Sequence, residues 1–144
     1  MLKSFVINFN QDLICRKYYI TNFLSKKGFR YVGEGRHRFV YLSKNKRFVL
    51  KFPIDDNGLR ANIEEAEIYS NFKNKICDSR IVKDADYAPC RLIDGCILMM
   101  FSIENDLGFA NFDLYLYPKW VLDIDSTQVG LYKNRLVAYD YSTL

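Results

Sequence analysis

The 144-residue sequence lacks several features that would place it among membrane, secreted or metal-binding proteins. It has no run of about eighteen apolar residues and therefore predicts no membrane span. The apolar stretch at its N-terminus is too short for a signal peptide. It contains no CxxC pair, and its single histidine, His37, has no cysteine at metal-ligand spacing, so no zinc site is predicted. The four cysteines are expected to be buried, reduced thiols of a cytoplasmic protein.

The composition is that of a globular domain. Apolar residues make up 49% of the chain and aromatic residues 16%, which is too much for a disordered segment. The length falls in the commonest range for a single domain and is sufficient to bury a core. We therefore expect one domain.

Residues 33–51, with the sequence GEGRHRFVYLSKNKRFVLK, form the most informative segment. Gly33 and Gly35 mark a turn that a ligand can approach closely, since glycine has no side chain and tolerates positive φ. The runs on either side of residues 43–46 predict two paired strands joined by a hairpin turn. Lys51 ends the second strand inside an apolar segment, a costly place for a cation unless an anion meets it. The alternative is an ordinary turn and a lysine that extends its ammonium group to solvent.

Residues 59–73 contain neither glycine nor proline, and their apolar side chains recur at helical spacing. Glu65 lies fourteen residues after Lys51. A helix packed on the strand pair would bring this carboxylate to the ammonium group. Glu67, on an adjoining face, is the alternative partner.

Two further hairpins are predicted. Residues 88–101 contain a strand, the turn Asp94-Gly95 and a strongly apolar strand. Residues 120–142 contain two short strands around positions 133–134, with Asp123 and Asp125 before them and Asp140 after them. The elements follow one another as strand pair, helix, hairpin, acidic loop and second hairpin. This ordered set is much less expected by chance than any one of its elements.

In this order the elements resemble the protein-kinase-like superfamily, in which a glycine-rich loop covers the phosphates of a nucleotide and a strand lysine holds them. The chain looks most similar to small, divergent members from bacteriophage and bacterial genomes and to the aminoglycoside-phosphotransferase branch. The resemblance spans residues 28–142 and implies an α+β fold: a twisted antiparallel sheet of about five strands with a packed helix, like a kinase small lobe, and a reduced C-terminal hairpin unit. The single domain would comprise a helical segment (1–27), the small-lobe-like part (28–103) and a catalytic-loop-like part (104–144).

The resemblance also implies roles for individual residues, with ATP and Mg²⁺ as the cofactors. Gly33 and Gly35 would stand in the glycine-rich loop, and Val40 would pack under the adenine. Lys51 would grip the phosphates, with Glu65 as its partner on the helix. The remaining implied positions are Met99 to Ser102 as the strand end and hinge beside the base, Asp123 as the catalytic-loop aspartate, Gln128 at the metal-binding asparagine, and Asp140-Tyr141-Ser142 as the magnesium-binding Asp-Phe-Gly.

The departures from the family pattern are equally specific. Arg38 replaces the third glycine of the loop, where it would crowd the phosphates or add a charge to them. No histidine precedes Asp123, Gln128 is longer than asparagine, and Ser142 replaces a glycine. Only about twenty residues separate the hinge from Asp123. The sequence thus provides no residues for most of the large lobe, which favours a reduced or repurposed kinase fold.

The N-terminal segment 11–27 has apolar residues at near-helical spacing and ends in Lys26-Lys27-Gly28, which predicts an amphipathic helix. It either docks a partner or, as we favour, covers the open face of the sheet. If it leaves that face open, we expect self-association or a protein partner at a contiguous apolar surface. The residues of that surface would be Met99, Met100, Phe101, Phe109, Phe112 and Trp120.

Charge is distributed unevenly along the chain. Residues 1–60 hold 13 Lys and Arg against 4 Asp and Glu, and residues 61–144 hold 8 against 13, so net charges of +9 and −5 sum to +4. The basic residues around the glycine-loop hairpin are interleaved with aromatic residues. Such a surface suits nucleotide phosphates, single-stranded nucleic acid or an acidic protein, or is simply a solvated face. These residues are Arg30, Arg36, Arg38, Lys44, Lys46 and Arg47.

Two functional hypotheses follow from the resemblance. In the first, the chain is an ATP-dependent phosphotransferase, which as a phage-type protein would modulate host machinery. Asp140 and Gln128 would hold magnesium, Lys51 and the loop amides the phosphates, and Asp123 would orient the acceptor hydroxyl. In the second, it is a pseudokinase scaffold that binds or inhibits a host protein, or nucleic acid, without catalysis. The retained charged residues favour the phosphotransferase, and the missing large lobe favours the scaffold. Both make the chain a nucleotide-binding, kinase-like protein with an expected protein partner.

Overall fold

The computed structural model describes residues 2–72, 85–101, 105–106, 129–132, 135–138 and 141. None of the helices in these ranges has the length and apolarity needed to cross a bilayer. The elements in chain order are α1 (Leu2–Val6), α2 (Leu13–Ser25), β1 (Arg30–Glu34), β2 (Arg38–Leu42), β3 (Phe48–Pro53), α3 (Asp56–Phe72), β4 (Ala85–Tyr87), β5 (Cys90–Ile93), β6 (Ile97–Phe101), β7 (Asn105–Asp106), β8 (Val129–Tyr132) and β9 (Arg135–Ala138).

Five strands form one antiparallel sheet in the order β1-β2-β3-β6-β5. The turn after β5 closes with a hydrogen bond from the Cys96 N–H to the Ile93 carbonyl at 3.2 Å. Asp94 and Gly95, its central residues, have φ values of 54° and 72°, as a type I′ hairpin turn requires. The predicted α+β fold with a five-stranded antiparallel sheet is confirmed.

The two N-terminal helices cover one face of this sheet. Asp12 caps α2, since its side chain accepts a hydrogen bond from the Ile14 N–H at 2.8 Å. The predicted helix and its covering role are confirmed, with the shorter bounds Leu13–Ser25. The core between helices and sheet consists of Val6, Ile20, Leu24, Phe39, Tyr41, Leu50, Phe52, Cys96 and Ile97.

Arg16 of α2 is buried in this layer, with only 1% of its surface exposed. Its guanidinium donates to three backbone carbonyls, those of Val6 at 2.8 Å, Pro53 at 2.9 Å and Ile54 at 2.9 Å. It also lies 5.0 Å from the centre of the Phe9 ring. This single side chain therefore connects α1 and α2 to the end of β3.

Helix α3 lies across the other face of the sheet and contacts β3, β5 and β6. It begins three residues before the predicted start at residue 59. Asp55 caps it, because its Oδ1 accepts a hydrogen bond from the Gly58 N–H at 2.8 Å. The sequence predicted a later start for this helix because Gly58 lies in its first turn.

A second, smaller sheet has the order β4-β9-β8-β7. The predicted hairpin around positions 133–134 is present as β8 and β9. Three short elements, α1, β4 and β7, were not predicted, and neither was the parallel pairing of β4 with β9. Segments of two to five residues carry too little periodicity to be recognised, and a parallel pair has no local turn signal.

The cysteines depart from the expectation at one position. Cys96 is buried and Cys90 is half-buried, and both are free thiols. Cys15 is also free but exposed, so the prediction that it is buried is wrong. Its neighbour Arg16 faces the core, which leaves position 15 on the solvent side of α2. Cys77 lies outside the described residues.

Candidate functional site

Lys51 lies at the centre of a buried charged cluster. It lies in β3 opposite Val40 of β2 and Leu98 of β6, and its side chain is only 7% exposed. Its Nζ donates a hydrogen bond to Oε2 of Glu65 at 3.1 Å, and Glu65 is completely buried. The predicted ion pair is therefore confirmed, whereas Glu67, the alternative partner, is exposed.

A second cation binds the same carboxylate. Arg38, the first residue of β2, donates from Nη2 to Oε1 of Glu65 at 3.0 Å and from Nη1 to Oδ1 of Asn62 at 3.2 Å. The Asn62 amide is fully buried and donates to the backbone carbonyls of Lys51 and Cys96 at 2.9 and 2.8 Å. These contacts fix α3 to β2 and β3. They also place a guanidinium beside Lys51, at the position where the family resemblance implied a glycine.

The connection between β1 and β2 is a tight turn of residues 35–37. The Gly35 N–H donates to the Arg38 carbonyl at 2.9 Å. Gly33 lies at a bulge in β1, where the register with β2 shifts. Among the residues that the structure describes, and apart from the two chain neighbours of each glycine, a Cβ atom built at Gly33 or Gly35 would meet no atom within 4 Å. The space beside these two glycines is therefore open to a ligand.

The tip of this turn is attached to the start of α3. The His37 Nδ1 lies 2.8 Å from Oδ2 of Asp55, and the His37 carbonyl accepts from the Ile54 N–H at 2.7 Å. Burial raises the pKa of Asp55, but hydrogen bonds from His37 and the Gly58 N–H outweigh this, so the pKa is lowered. A Cβ atom at Gly58 would collide with the His37 carbonyl oxygen, so only glycine permits this approach. The turn and α3 are thus held as one unit.

An apolar strip continues from Lys51 across the same face of the sheet. Residues directly opposite each other in paired strands share a face, so Val40 and Leu98 flank Lys51. Met100, opposite Val49, lies in the next row. Leu98 and Met100 are both buried, whereas Val40 is half-buried. Met99 does not join this strip, because its side chain packs against the core beneath α1 and α2. Met99 was expected at the hinge beside the base, and its side chain lies on the opposite face of the sheet from Lys51.

Tyr141, whose neighbour Asp140 was assigned to metal binding, is buried behind Glu65. Its hydroxyl donates to the Ala88 carbonyl at 3.0 Å and lies 3.0 Å from the Cys90 Sγ. The Cys90 thiol in turn lies 3.5 Å from the Glu65 carbonyl oxygen. Burial raises the pKa of Cys90 to about 11 and also raises the pKa of Tyr141. Both groups are therefore neutral near pH 7, and Cys90 is not an activated nucleophile.

The other predicted catalytic and metal-binding residues, Asp123, Gln128 and Asp140, lie outside the described residues. The same holds for Phe109, Phe112 and Trp120 of the proposed partner surface. Within the part of the chain that the structure describes, no group of three or more His, Cys, Asp or Glu side chains is arranged to hold a metal ion. The described portion of the site is therefore the cluster around Lys51, the glycine turn and the half-buried Val40.

No protein-family model matches the sequence, and no curated protein matches it. Among solved structures, the chain is similar to the aminoglycoside phosphotransferase APH(2")-IIa in a ternary complex with streptomycin and ATP. The two chains are 19% identical and superpose with a TM-score of 0.45. The match covers 64% of this chain and 30% of that one, so this chain spans less than a third of that protein's length.

Proposed function

We propose that the chain is a nucleotide-binding, kinase-like protein that holds the phosphates of ATP beside Lys51 and beneath the glycine turn. The buried Lys51–Glu65 ion pair next to an open glycine turn is the observation that supports this most strongly. A buried ion pair is an inefficient way to stabilise a core, because apolar side chains of similar volume are often as stable or more stable there. The cluster is better explained by a ligand that needs a positive charge at this position.

The rest of the sheet face supports one orientation of the nucleotide. Val40, which lies opposite Lys51 and is half-buried, offers apolar contact for the base, whereas Leu98 on the other side of Lys51 is completely buried. Arg38 lies one row further towards the turn and adds a second cation near the phosphates. The adenine would therefore lie against Val40, with the phosphates directed towards Arg38 and the open backbone at Gly33 and Gly35.

In this proposal Asp140 and Gln128 would hold Mg²⁺ and Asp123 would orient the acceptor hydroxyl. Bound magnesium would neutralise phosphate charge during transfer. Lys51 and Arg38 would position the phosphates through charge-assisted hydrogen bonds.

The second candidate function is nucleotide-dependent scaffolding, in which the chain binds a protein partner and transfers no phosphate. The position of Arg38 favours it, since this guanidinium ties β2 to Glu65 and Asn62 and thereby restrains the turn that would close over the phosphates. Both candidates require ATP binding, and they differ in phosphate transfer and in the need for a protein partner.

Thermal unfolding with ATP, measured with and without Mg²⁺, tests the proposal. At an ATP concentration 100 times the Kd, binding adds about 2.7 kcal/mol to the free energy of unfolding. For a domain of this size we expect the midpoint to rise by roughly 5–10 °C. An unchanged midpoint at millimolar ATP would contradict nucleotide binding.

The Asp140→Asn variant tests magnesium binding in the same experiment, and Asp125→Asn is the matched control. We expect the Asp140 variant to lose the magnesium-dependent part of the stabilisation and any ATP turnover, while the control retains both. Stabilisation by ATP without turnover in the unaltered protein would select the scaffold. An Asp140 variant with full magnesium dependence would show that Asp140 is not a metal ligand.

A further inference from the structure

The distribution of charge in residues 13–54 is not explained by the nucleotide site. This segment contains eleven Lys and Arg residues and one acidic residue, Glu34. Arg16, Arg38 and Lys51 are largely buried in the contacts described above, and Lys17 pairs with Glu34 at 2.7 Å. The seven others are exposed: Lys26, Lys27, Arg30, Arg36, Lys44, Lys46 and Arg47.

Six of these seven residues lie at the end of the sheet remote from the glycine turn. Two connections meet there, the one from α2 to β1 and the one from β2 to β3. They are in contact, because a Cβ atom at Gly28 would lie 3.0 Å from the Cβ of Lys44, and Arg30 lies opposite Leu42 at the end of β2. We call this surface the basic end; it comprises Lys26, Lys27, Arg30, Lys44, Lys46 and Arg47.

The turn that carries half of the basic end is ordered by its own hydrogen bonds. The Ser43 hydroxyl accepts from the backbone N–H groups of Arg47 and Phe48 at 3.1 and 3.2 Å and donates to Asn45 at 2.8 Å. Asn45 also accepts from the Arg47 N–H at 3.0 Å. The backbone that presents these cations is therefore preorganised, so little backbone entropy is lost when they bind a ligand.

The aromatic rings beside the basic end are half-buried and already engaged. Phe29 and Phe48 contact each other with ring centres 5.7 Å apart, the Lys27 ammonium lies 5.3 Å from the centre of the Phe23 ring, and all three rings pack against the core. Protein interfaces usually have a buried apolar or aromatic centre and are depleted in lysine. Proteins that bind single-stranded nucleic acid stack bases on exposed aromatic rings. Binding to a regular array of phosphates requires neither an apolar centre nor exposed rings. The affinity comes from cations of the protein that replace counterions condensed on the nucleic acid.

We propose that the basic end binds the phosphate backbone of double-stranded nucleic acid, without sequence preference. This surface is separate from the nucleotide site, because the two lie at opposite ends of the β1–β2 hairpin. Each of these strands has five residues, so at about 3.3 Å per residue the basic end lies roughly 15 Å from the glycine turn. The charge and exposure of these side chains suit contacts to several phosphates of a duplex.

Fluorescence anisotropy with a labelled 20-base-pair DNA duplex tests this proposal on the full chain. We expect a Kd in the micromolar range in about 50 mM salt and a log–log salt slope of about −0.9 per phosphate contacted. The double variant Lys44→Gln/Arg47→Gln should bind at least about tenfold more weakly, with a salt slope shallower by about 2. The matched control Arg60→Gln/Arg91→Gln removes the same charge from exposed positions in α3 and β5 and should bind like the unaltered protein.

The absence of duplex binding at tens of micromolar protein, or an equal loss in both double variants, would overturn the proposal. Tighter binding to a labelled 20-nucleotide single strand, or to vesicles that contain phosphatidylserine, would also overturn it. Lys51→Met separates this surface from the nucleotide site. Duplex binding should survive that substitution, and its loss would assign the phosphates to the Lys51 cluster instead. Both double variants should retain the stabilisation by ATP, so failure of one proposal is distinguishable from failure of the other.

Discussion

Replacing Glu65 by alanine is expected to lower the free energy of unfolding by about 3–5 kcal/mol. The substitution removes a completely buried carboxylate that accepts hydrogen bonds from both Lys51 and Arg38, whose side chains are 7% and 12% exposed. Two cations then remain in a region from which most water is excluded, and each loses its shared counter-charge. Urea denaturation monitored by circular dichroism measures the loss as a lower transition midpoint.

Glu67→Ala is the matched control, because it removes an exposed carboxylate from the same helix. We expect its free energy of unfolding to change by no more than about 0.5 kcal/mol. The triple variant Glu65→Leu/Arg38→Leu/Lys51→Met should recover most of the stability, since apolar residues of similar size remove the charges together. Equal effects of the two single variants would contradict the central place given to the Glu65 carboxylate.

Arg16→Met is expected to cost about 2–4 kcal/mol. The variant keeps much of the side-chain volume but leaves the carbonyls of Val6, Pro53 and Ile54 without their donor, and an unsatisfied buried acceptor costs about 1–3 kcal/mol. Removing a buried charge returns part of this cost. Burial lowers the pKa of Arg16, with partial compensation by Asp55, so the cation itself is unfavourably placed.

Arg16→Lys and Arg60→Met separate the possible causes. Lysine keeps the charge but lacks the planar fork that reaches three carbonyls, so we expect most of the loss to remain. Arg60 is exposed, and its replacement should change the free energy of unfolding by less than about 0.5 kcal/mol. An Arg16→Lys variant as stable as the unaltered protein would show that charge, rather than the three hydrogen bonds, holds the N-terminal helices on the sheet.

The parts of the fold that the sequence predicted correctly are those governed by local patterns. Alternating β-formers and the Asp94-Gly95 turn predict the strands, and helical periodicity predicts α2 and α3. The spacing between Lys51 and Glu65 then predicted their contact, because one helix and one strand bring them together. Sequence spacing alone left Glu67 as an alternative; the packing of α3 on the sheet decides between the two.

The features that were missed depend on contacts between distant segments. Nothing in the pattern around Arg38 indicates that its side chain turns inward to Glu65 and Asn62. Gly58 has the helical conformation that any residue adopts, and only the position of the His37 carbonyl explains why it is glycine. Arg16 reads as one more charge on an amphipathic helix, whereas its burial depends on where β3 ends. Such polar tertiary contacts follow no periodicity and require the three-dimensional arrangement.

The most direct test of the central claim is the affinity of the protein for adenosine, AMP, ADP and ATP, measured by isothermal titration calorimetry on the unaltered protein and on Lys51→Met. Glu65 keeps its Arg38 partner in this variant, so the fold is expected to persist. If Lys51 holds the phosphates, affinity should rise at least about tenfold from adenosine to ATP in the unaltered protein, since charge-assisted hydrogen bonds are worth about 1.5–3 kcal/mol. Most of that rise should disappear in the variant, while adenosine binds both proteins equally. An equal rise in both proteins would show that Lys51 does not hold the phosphates.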